Sequence, residues 1–221
     1  MNTWMKQACL ATVVATLPWA VMAQTTTEEA PAETAEVAED AVEAEAPQVL
    51  DMTMGQEDAP VTVIEYGSFT CPHCASFHVN TFSQIKENYI ETGKVKFIHR
   101  EVYFDRYGLW AGMMARCAGP ERYFALTDLI YTQQGDWVSG GDAAGIAANL
   151  RKMGLTSGMD PETLDACMSD GAKAQALVNT FEENRVADDV TSTPTFIING
   201  EKFTNMSFED FAEVLDDKLG E

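Results

Sequence analysis

An α/β fold carrying a helical insertion is the class this sequence predicts, in the order β-α-β, five helices, β-β-α. Three observations predict it. Two β-branched, apolar runs, "APVTVIEYGS" and "KVKFIHREVYF", flank a stretch of helical periodicity. A series of helix start and stop signals follows with no strand-like run inside it. Strand character then returns in "TPTFIING", whose last residues, Asn199 and Gly200, are a hairpin turn signal.

In the first run Val61, Val63 and Ile64 stand beside Tyr66 between Pro60 and Gly67, the composition of a buried strand. From Pro72 onward Phe77, Phe82, Ile85 and Tyr89 recur at helical spacing as far as Gly93. Pro72 suits the first helical position, where its missing N–H costs nothing. A crossover helix of this length joins strands that run parallel. The insertion begins with "YGLWAGMMARCAG", then "PERYFALTDLIYTQQ", "DAAGIAANLRKMG" with an Asp cap and a terminal Gly, and "DPETLDACMSD". "AKAQALVNTFEENRVADD" is its fifth helix, with Ala176, Val178, Phe181 and Val186 expected inward. After the hairpin, which "EKF" completes, Ser207 and Asp210 cap a last helix whose Phe211, Val214, Leu215 and Leu219 share a face. No internal repeat is present.

The ends of the chain differ from this body. Residues 1–23 combine Lys6, an apolar run from Ala8 to Leu17 and "VMA" before Gln24, the layout of a cleaved secretory signal. An uncleaved anchor is the alternative, opposed by Pro18 and the short span. Residues 24–48 hold eight acids and no base, a composition that cannot bury a core and reads as a disordered acidic linker. Residues 49–221 keep 27 of the 35 acidic residues and 13 of the 14 basic ones, a net charge of −14. That excludes nucleic acid as an expected partner, since phosphate binding needs clustered Lys and Arg. Of the 221 residues 46% are apolar, enough for a core.

Export shapes how the cysteines read, because thiols outside the cytosol tend to be oxidised. Cys71, Cys74, Cys117 and Cys167 suggest two pairs, and spacing alone indicates only Cys71 with Cys74. A zinc site wants about four ligands, and only His73 and His78 lie near this CxxC. Haem attachment requires a histidine where Ala75 stands. A structural bridge across so short a loop would constrain the unfolded chain little. Redox exchange is the leading reading. A cysteine at a helix start meets unpaired N–H groups and the positive end of the helix dipole, which favour the thiolate and make Cys71 the reactive sulfur. Cys74, a turn further in, is expected to be shielded. The ring of His73 is expected to add a cation or a donor beside the Cys71 sulfur. A stabilised reduced form makes the disulfide a strong oxidant.

"CPHC" after the first strand, the helical insertion, and "STPTFIING" before the hairpin resemble the DsbA branch of the thioredoxin superfamily, the exported thiol:disulfide oxidoreductases, over residues 49–219. The resemblance implies a thioredoxin fold, residues 49–106 and 190–221, interrupted by a helical insertion at 107–189. It implies Cys71 as nucleophile, Cys74 as resolving partner, Pro72 and His73 as the intervening dipeptide, and Glu65 as the buried acid that relays a proton to Cys74. It also implies that Pro194 follows a cis peptide bond and that Thr193 contacts substrate. His99 falls where such proteins often carry a lysine near the acid; a satisfied core or surface histidine is the plainer reading. Thr193 departs from the valine of enteric DsbA proteins and also resembles the disulfide isomerases. Cys117 and Cys167 are expected to form a second, structural disulfide, two buried thiols being the alternative. Leu109, Trp110, Met113 and Met114 are expected in the core, or in part along a groove for unfolded substrates.

The implied activity is a periplasmic oxidase that donates the Cys71–Cys74 disulfide to unfolded or reduced exported proteins. A quinone-linked membrane protein would reoxidise it. No metal and no cofactor beyond that disulfide is expected, and the chain is expected to be a monomer. Isomerase or reductase activity on the same fold is the alternative; a non-catalytic, chaperone-like binding module is the alternative from another class.

Overall fold

The computed structural model describes residues 47–221, so the signal reading and nearly all of the acidic linker lie outside the described residues. Five strands form one sheet in the order β1-β3-β2-β4-β5. Strands β2 (Val61–Gly67) and β3 (Val95–Glu101) are parallel and central. Strand β4 (Thr195–Ile198) lies antiparallel to β2, and β5 (Glu201–Thr204) returns beside β4 through Asn199 and Gly200, both at positive φ. Asn199 also clamps β2: its side-chain oxygen accepts from the Thr62 N–H at 2.8 Å and its own N–H donates to the Thr62 carbonyl at 3.0 Å.

The sequence reading lacked β1 (Met52–Met54), which pairs antiparallel with β3. Three residues between Asp51 and Gly55 carry too short a period-2 signal to stand out. Its role is to cover the β3 edge.

Alternation along β2 assigns its faces. Val61 and Val63 point into a core with Phe77, Phe82, Ile85, Phe196 and Phe211, while Tyr66 points to the opposite side with Phe181, Val190 and Ile197. Glu65 shares the parity of Val61 and Val63 and so faces helix α1. That helix starts as Pro72–Phe77 and continues through π-type turns at His78–Phe82 and Lys86–Ile90, separated by Ser83–Ile85.

The insertion contains six helices where five were expected: α2 (Arg106–Cys117), α3 (Pro120–Thr132), α4 (Gln134–Val138), α5 (Ala143–Thr156), α6 (Pro161–Met168) and α7 (Gly171–Ala187). The additional one, α4, is a five-residue turn that anchors Trp137, whose indole N–H donates to the Ile130 carbonyl at 2.9 Å. Helix α5 does not stop at Gly154. A Cβ there would meet Leu164 Cδ2 at 2.8 Å, so Gly154 is a close-packing position inside the helix, and Gly158, at positive φ, ends the turn beyond it. On α7 the inward residues are Ala176, Leu177 and Phe181; Val178 is half-buried and Val186 is 69% exposed. The 3.6-residue period predicts a stripe, but Val186 falls off the face that α7 turns to the sheet; its last turn is held to β2 through the Asn184 carbonyl, which accepts from the Tyr66 hydroxyl at 3.3 Å. Met113 and Met114 are buried, Leu109 and Trp110 half-buried. Helix α8 (Phe208–Leu219) closes the sheet with Phe211 and Leu215, and Ser207 caps it by accepting from the Asp210 N–H.

A disulfide joins Cys117 at the end of α2 to Cys167 in α6, 50 residues apart, with Cα atoms 5.9 Å from each other. Helices α2 and α6 are thereby tied within the insertion. Replacing both cysteines by alanine is expected to lower the stability of the chain by about 4 kcal/mol in the chain-entropy model, read from guanidinium unfolding midpoints against the oxidised wild type.

Candidate active site

Cys71 is the residue just before helix α1, in extended conformation, and Pro72 occupies the first helical position. The Cys71 N–H donates to the Ser68 carbonyl at 3.0 Å, and its carbonyl starts the helix by accepting from the Ala75 N–H at 3.2 Å. The two thiols are unbonded. Cys71 is half-exposed and Cys74 fully buried against the insertion core. One helical turn separates a sulfur that a partner can reach from one that it cannot.

Their acidities diverge. The Cys71 thiol is lowered to about 5. The Cys74 S–H donating to it is the largest cause; the Thr193 side chain and the backbone N–H groups of Cys74 and His73 add to it, against the opposing effect of burial. Cys74 is driven in the other direction, first by giving its proton to that bond and then by burial and the nearby charges of Glu65 and Cys71. The expectation for the His73 ring is corrected here: the ring is exposed and makes no hydrogen bond among the described residues, and it is the backbone N–H of His73 that faces the sulfur.

Thr193 and Pro194 come to the CxxC from a segment 122 residues further along. The Thr193–Pro194 peptide bond is cis, and the Cys71 thiol sits 3.5 Å from the Thr193 carbonyl oxygen, toward which it donates. Pro194 is buried and Thr193 half-exposed, beside the accessible sulfur.

Glu65 lies beneath both sulfurs, 1% exposed, with Oε1 lacking any hydrogen-bond partner among the described residues. Burial and then the charge of Cys71 raise its carboxyl to about 8, so it holds its proton at neutral pH. Register places His99 directly beside it on β3. His99 is a satisfied core histidine, 1% exposed, with Nδ1 2.6 Å from the Tyr123 hydroxyl and Nε2 3.3 Å from that of Tyr131. Burial lowers it to about 4, so the ring is neutral.

Two further residues hold the site and had no signature in the sequence. Gln134, at the start of α4, donates from Nε2 to the carbonyls of Phe69 at 2.8 Å and Cys71 at 3.0 Å. Asp105 accepts from the Thr70 hydroxyl at 2.6 Å while capping α2 through the N–H groups of Tyr107 and Gly108. Both tie the CxxC loop to the insertion. The Asp105 bond to Thr70, a residue 35 positions earlier, exists only in the fold.

With the strand-CxxC-helix unit and the cis-proline loop in one place, comparison with known proteins is decisive. The thioredoxin family model matches residues 48–217. The chain belongs to the thioredoxin family. Within this family the likeness is to its DsbA-type members: the crystal structure of Wolbachia pipientis alpha-DsbA1 superposes with a TM-score of 0.71 at 28% identity, over 80% of this chain and 94% of that one. A putative protein-disulfide oxidoreductase of Rickettsia bellii is 31% identical over 172 residues, 77% of this chain. The chain spans 65% of the length of that relative and 61% of the next, from Rickettsia conorii. Disulfide bond formation protein D of Bacillus subtilis is 27% identical over 165 residues, covering 73% of this chain and 72% of that protein.

Two outcomes are expected. Iodoacetamide should alkylate the reduced protein at Cys71 with a rate that rises through a midpoint near pH 5; a midpoint in the ordinary thiol range of about 8.5 contradicts the geometry above. Glu65 should make stability fall as pH rises. Below its ordinary value of 4.5 folded and unfolded chains are both protonated; between 4.5 and about 8 only the unfolded chain loses the proton, so the cost grows across that window and is complete above it. Glu65→Gln should remove this slope, leaving the variant more stable than wild type at pH 8 by an amount that vanishes near pH 4, as guanidinium unfolding at the two pH values measures.

Proposed function

We propose that this chain is an exported thiol:disulfide oxidoreductase that donates the disulfide of Cys71 and Cys74 to reduced cysteine pairs in other exported proteins. The single observation that carries the reading is the asymmetry of the two sulfurs: one half-exposed and acidic beside the cis-proline loop, the other sealed and holding its proton. An acidic Cys71 is a good leaving group, and stabilising its thiolate favours the reduced enzyme over the disulfide.

The exchange balances as follows. A substrate thiolate attacks the Cys71 sulfur; the bond to Cys74 breaks, and its electron pair leaves on the Cys74 sulfur, which takes the proton of Glu65, and Glu65 regains a proton from solvent. The second substrate thiolate attacks the first substrate sulfur and expels Cys71 as thiolate. The substrate has lost two electrons to the enzyme, and its two sulfurs are now bonded. The half-exposed Thr193, with its carbonyl facing Cys71, would receive the extended substrate chain next to the mixed disulfide. Residues 1–23 support export to the periplasm, and a quinone-linked membrane protein is the reoxidising partner the family implies.

The reading of residue 193 also bears on a second activity. Threonine before the proline resembles the disulfide isomerases, so the same pair of sulfurs could rearrange wrong disulfides. Equilibration against glutathione is the deciding experiment. An oxidase should show a midpoint well above a cytosolic reductant's, about −270 mV; a value at or below that ends the donor reading. Cys71→Ser should abolish transfer to a reduced peptide, and recovery of active ribonuclease from its scrambled form would place isomerisation ahead.

A further inference from the structure

Strand β2 ends at Gly67, and residues 68–71 leave the sheet with no ladder partner before helix α1 begins at Pro72. Backbone polar groups in such a segment need partners from elsewhere. The helix itself offers little hold: Cys71 makes no side-chain cap bond, and Pro72 has no N–H to give. One backbone bond closes the segment on itself, from the Cys71 N–H to the Ser68 carbonyl.

Gln134 supplies what is missing. Its Nε2 carries two hydrogens and meets two carbonyls, that of Phe69 at 2.8 Å and that of Cys71 at 3.0 Å. Among the described residues the Phe69 carbonyl has no other donor, whereas the Cys71 carbonyl also accepts from the Ala75 N–H at 3.2 Å. The two carbonyls bracket Thr70 and Cys71, so one neutral nitrogen grips the chain on both sides of the step into the helix. The arm that carries it is itself fixed. On α4 the buried Trp137 donates its indole N–H to the Ile130 carbonyl, and Asn149 of α5 donates from Nδ2 to the carbonyls of Trp137 at 3.3 Å and Asp136 at 3.4 Å. Cys71 is therefore held by its backbone from the insertion, while its sulfur faces the Thr193 carbonyl and the N–H groups of His73 and Cys74.

We propose that Gln134 is a positioning residue for thiol exchange, its amide clamping the Cys71 backbone so that the Cys71 sulfur stays aligned with Cys74, the Thr193 carbonyl and an incoming sulfur. This rests on the exchange reading above. Displacement at a sulfur demands that attacking and leaving sulfurs line up, and a misplacement of about 1 Å costs on the order of a hundredfold in rate. Gln134 bonds to carbonyls and to no reacting atom, and it brings no charge to the site. Its contribution is geometric.

Gln134→Met, close in length, uncharged and without donors, tests this in the full chain. In the reduced protein the alkylation midpoint of Cys71, near 5 in the wild type, should rise by about half a pH unit or more as the N–H groups lose their aim at the sulfur. In the oxidised protein, disulfide transfer to a reduced peptide should fall on the order of tenfold in kcat with KM little changed. A wild-type alkylation midpoint or a wild-type transfer rate in the variant overturns the proposal, even where guanidinium unfolding shows lower stability, since stability is all that a merely structural bond would move. Should Gln134→Met not fold, Gln134→Ala decides by the same two readouts. Alkylation needs no turnover: a raised midpoint in the variant, with no transfer by the wild type, supports the clamp and ends the oxidoreductase reading instead.

Discussion

Everything chemical in this protein depends on where the first turn of helix α1 is wedged. The turn lies between a sheet strand that presents a buried acid and a helical insertion that packs over Cys74. One sulfur is left at the surface beside the cis-proline loop. The other is left in a dry interior. Because a thiolate is stabilised by donors and penalised by burial, the same wedge lowers one acidity and raises the other without a charged side chain at the exposed sulfur. The Cys74 proton is the link between them, since it is the donor that most stabilises Cys71.

The insertion does more than shield. Gln134 and Asp105 bind the backbone and side chain of the CxxC loop, and Tyr123 and Tyr131 reach under the sheet to hold His99. The buried pair of Glu101 and Arg116 sits where β3 meets α2, with both side chains almost inaccessible and the Leu50 carbonyl accepting a further bond from Arg116. Burying two charges is costly unless the geometry is good; here two oxygens meet two guanidinium nitrogens. The disulfide of Cys117 follows directly after Arg116 on the same helix. Sheet and insertion are thus coupled by polar contacts near the site and by apolar packing farther out.

Much of this was legible in the chain itself. Cys71, Pro72 and Cys74 announce a helix start with two sulfurs, and the run from Val61 to Tyr66 announces the strand beneath it, since periodicity and helix-end chemistry are local properties. Asn199 and Gly200 announce their hairpin for the same reason. The role of the His73 ring was not legible: the sequence places an imidazole between two cysteines but does not say which way it points, and the fold turns it to solvent. Strand β1, helix α4 and the exposed end of α7 were missed or misjudged because three to five residues carry too little pattern to outweigh what the surrounding structure demands.

What the sequence by itself determined is the order of the elements other than β1 and α4, the position of the sulfur pair at a helix start, and the acid six residues before it. These follow from spacing along one stretch of backbone. Tertiary structure alone decided which neighbours meet: Thr193 against Cys71, His99 beside Glu65, Tyr131 and Tyr123 on His99, Gln134 on the carbonyls of Phe69 and Cys71. Such contacts join residues from 24 to 122 positions apart, and they depend on the register of the sheet and the packing of the insertion, neither of which any local spacing encodes.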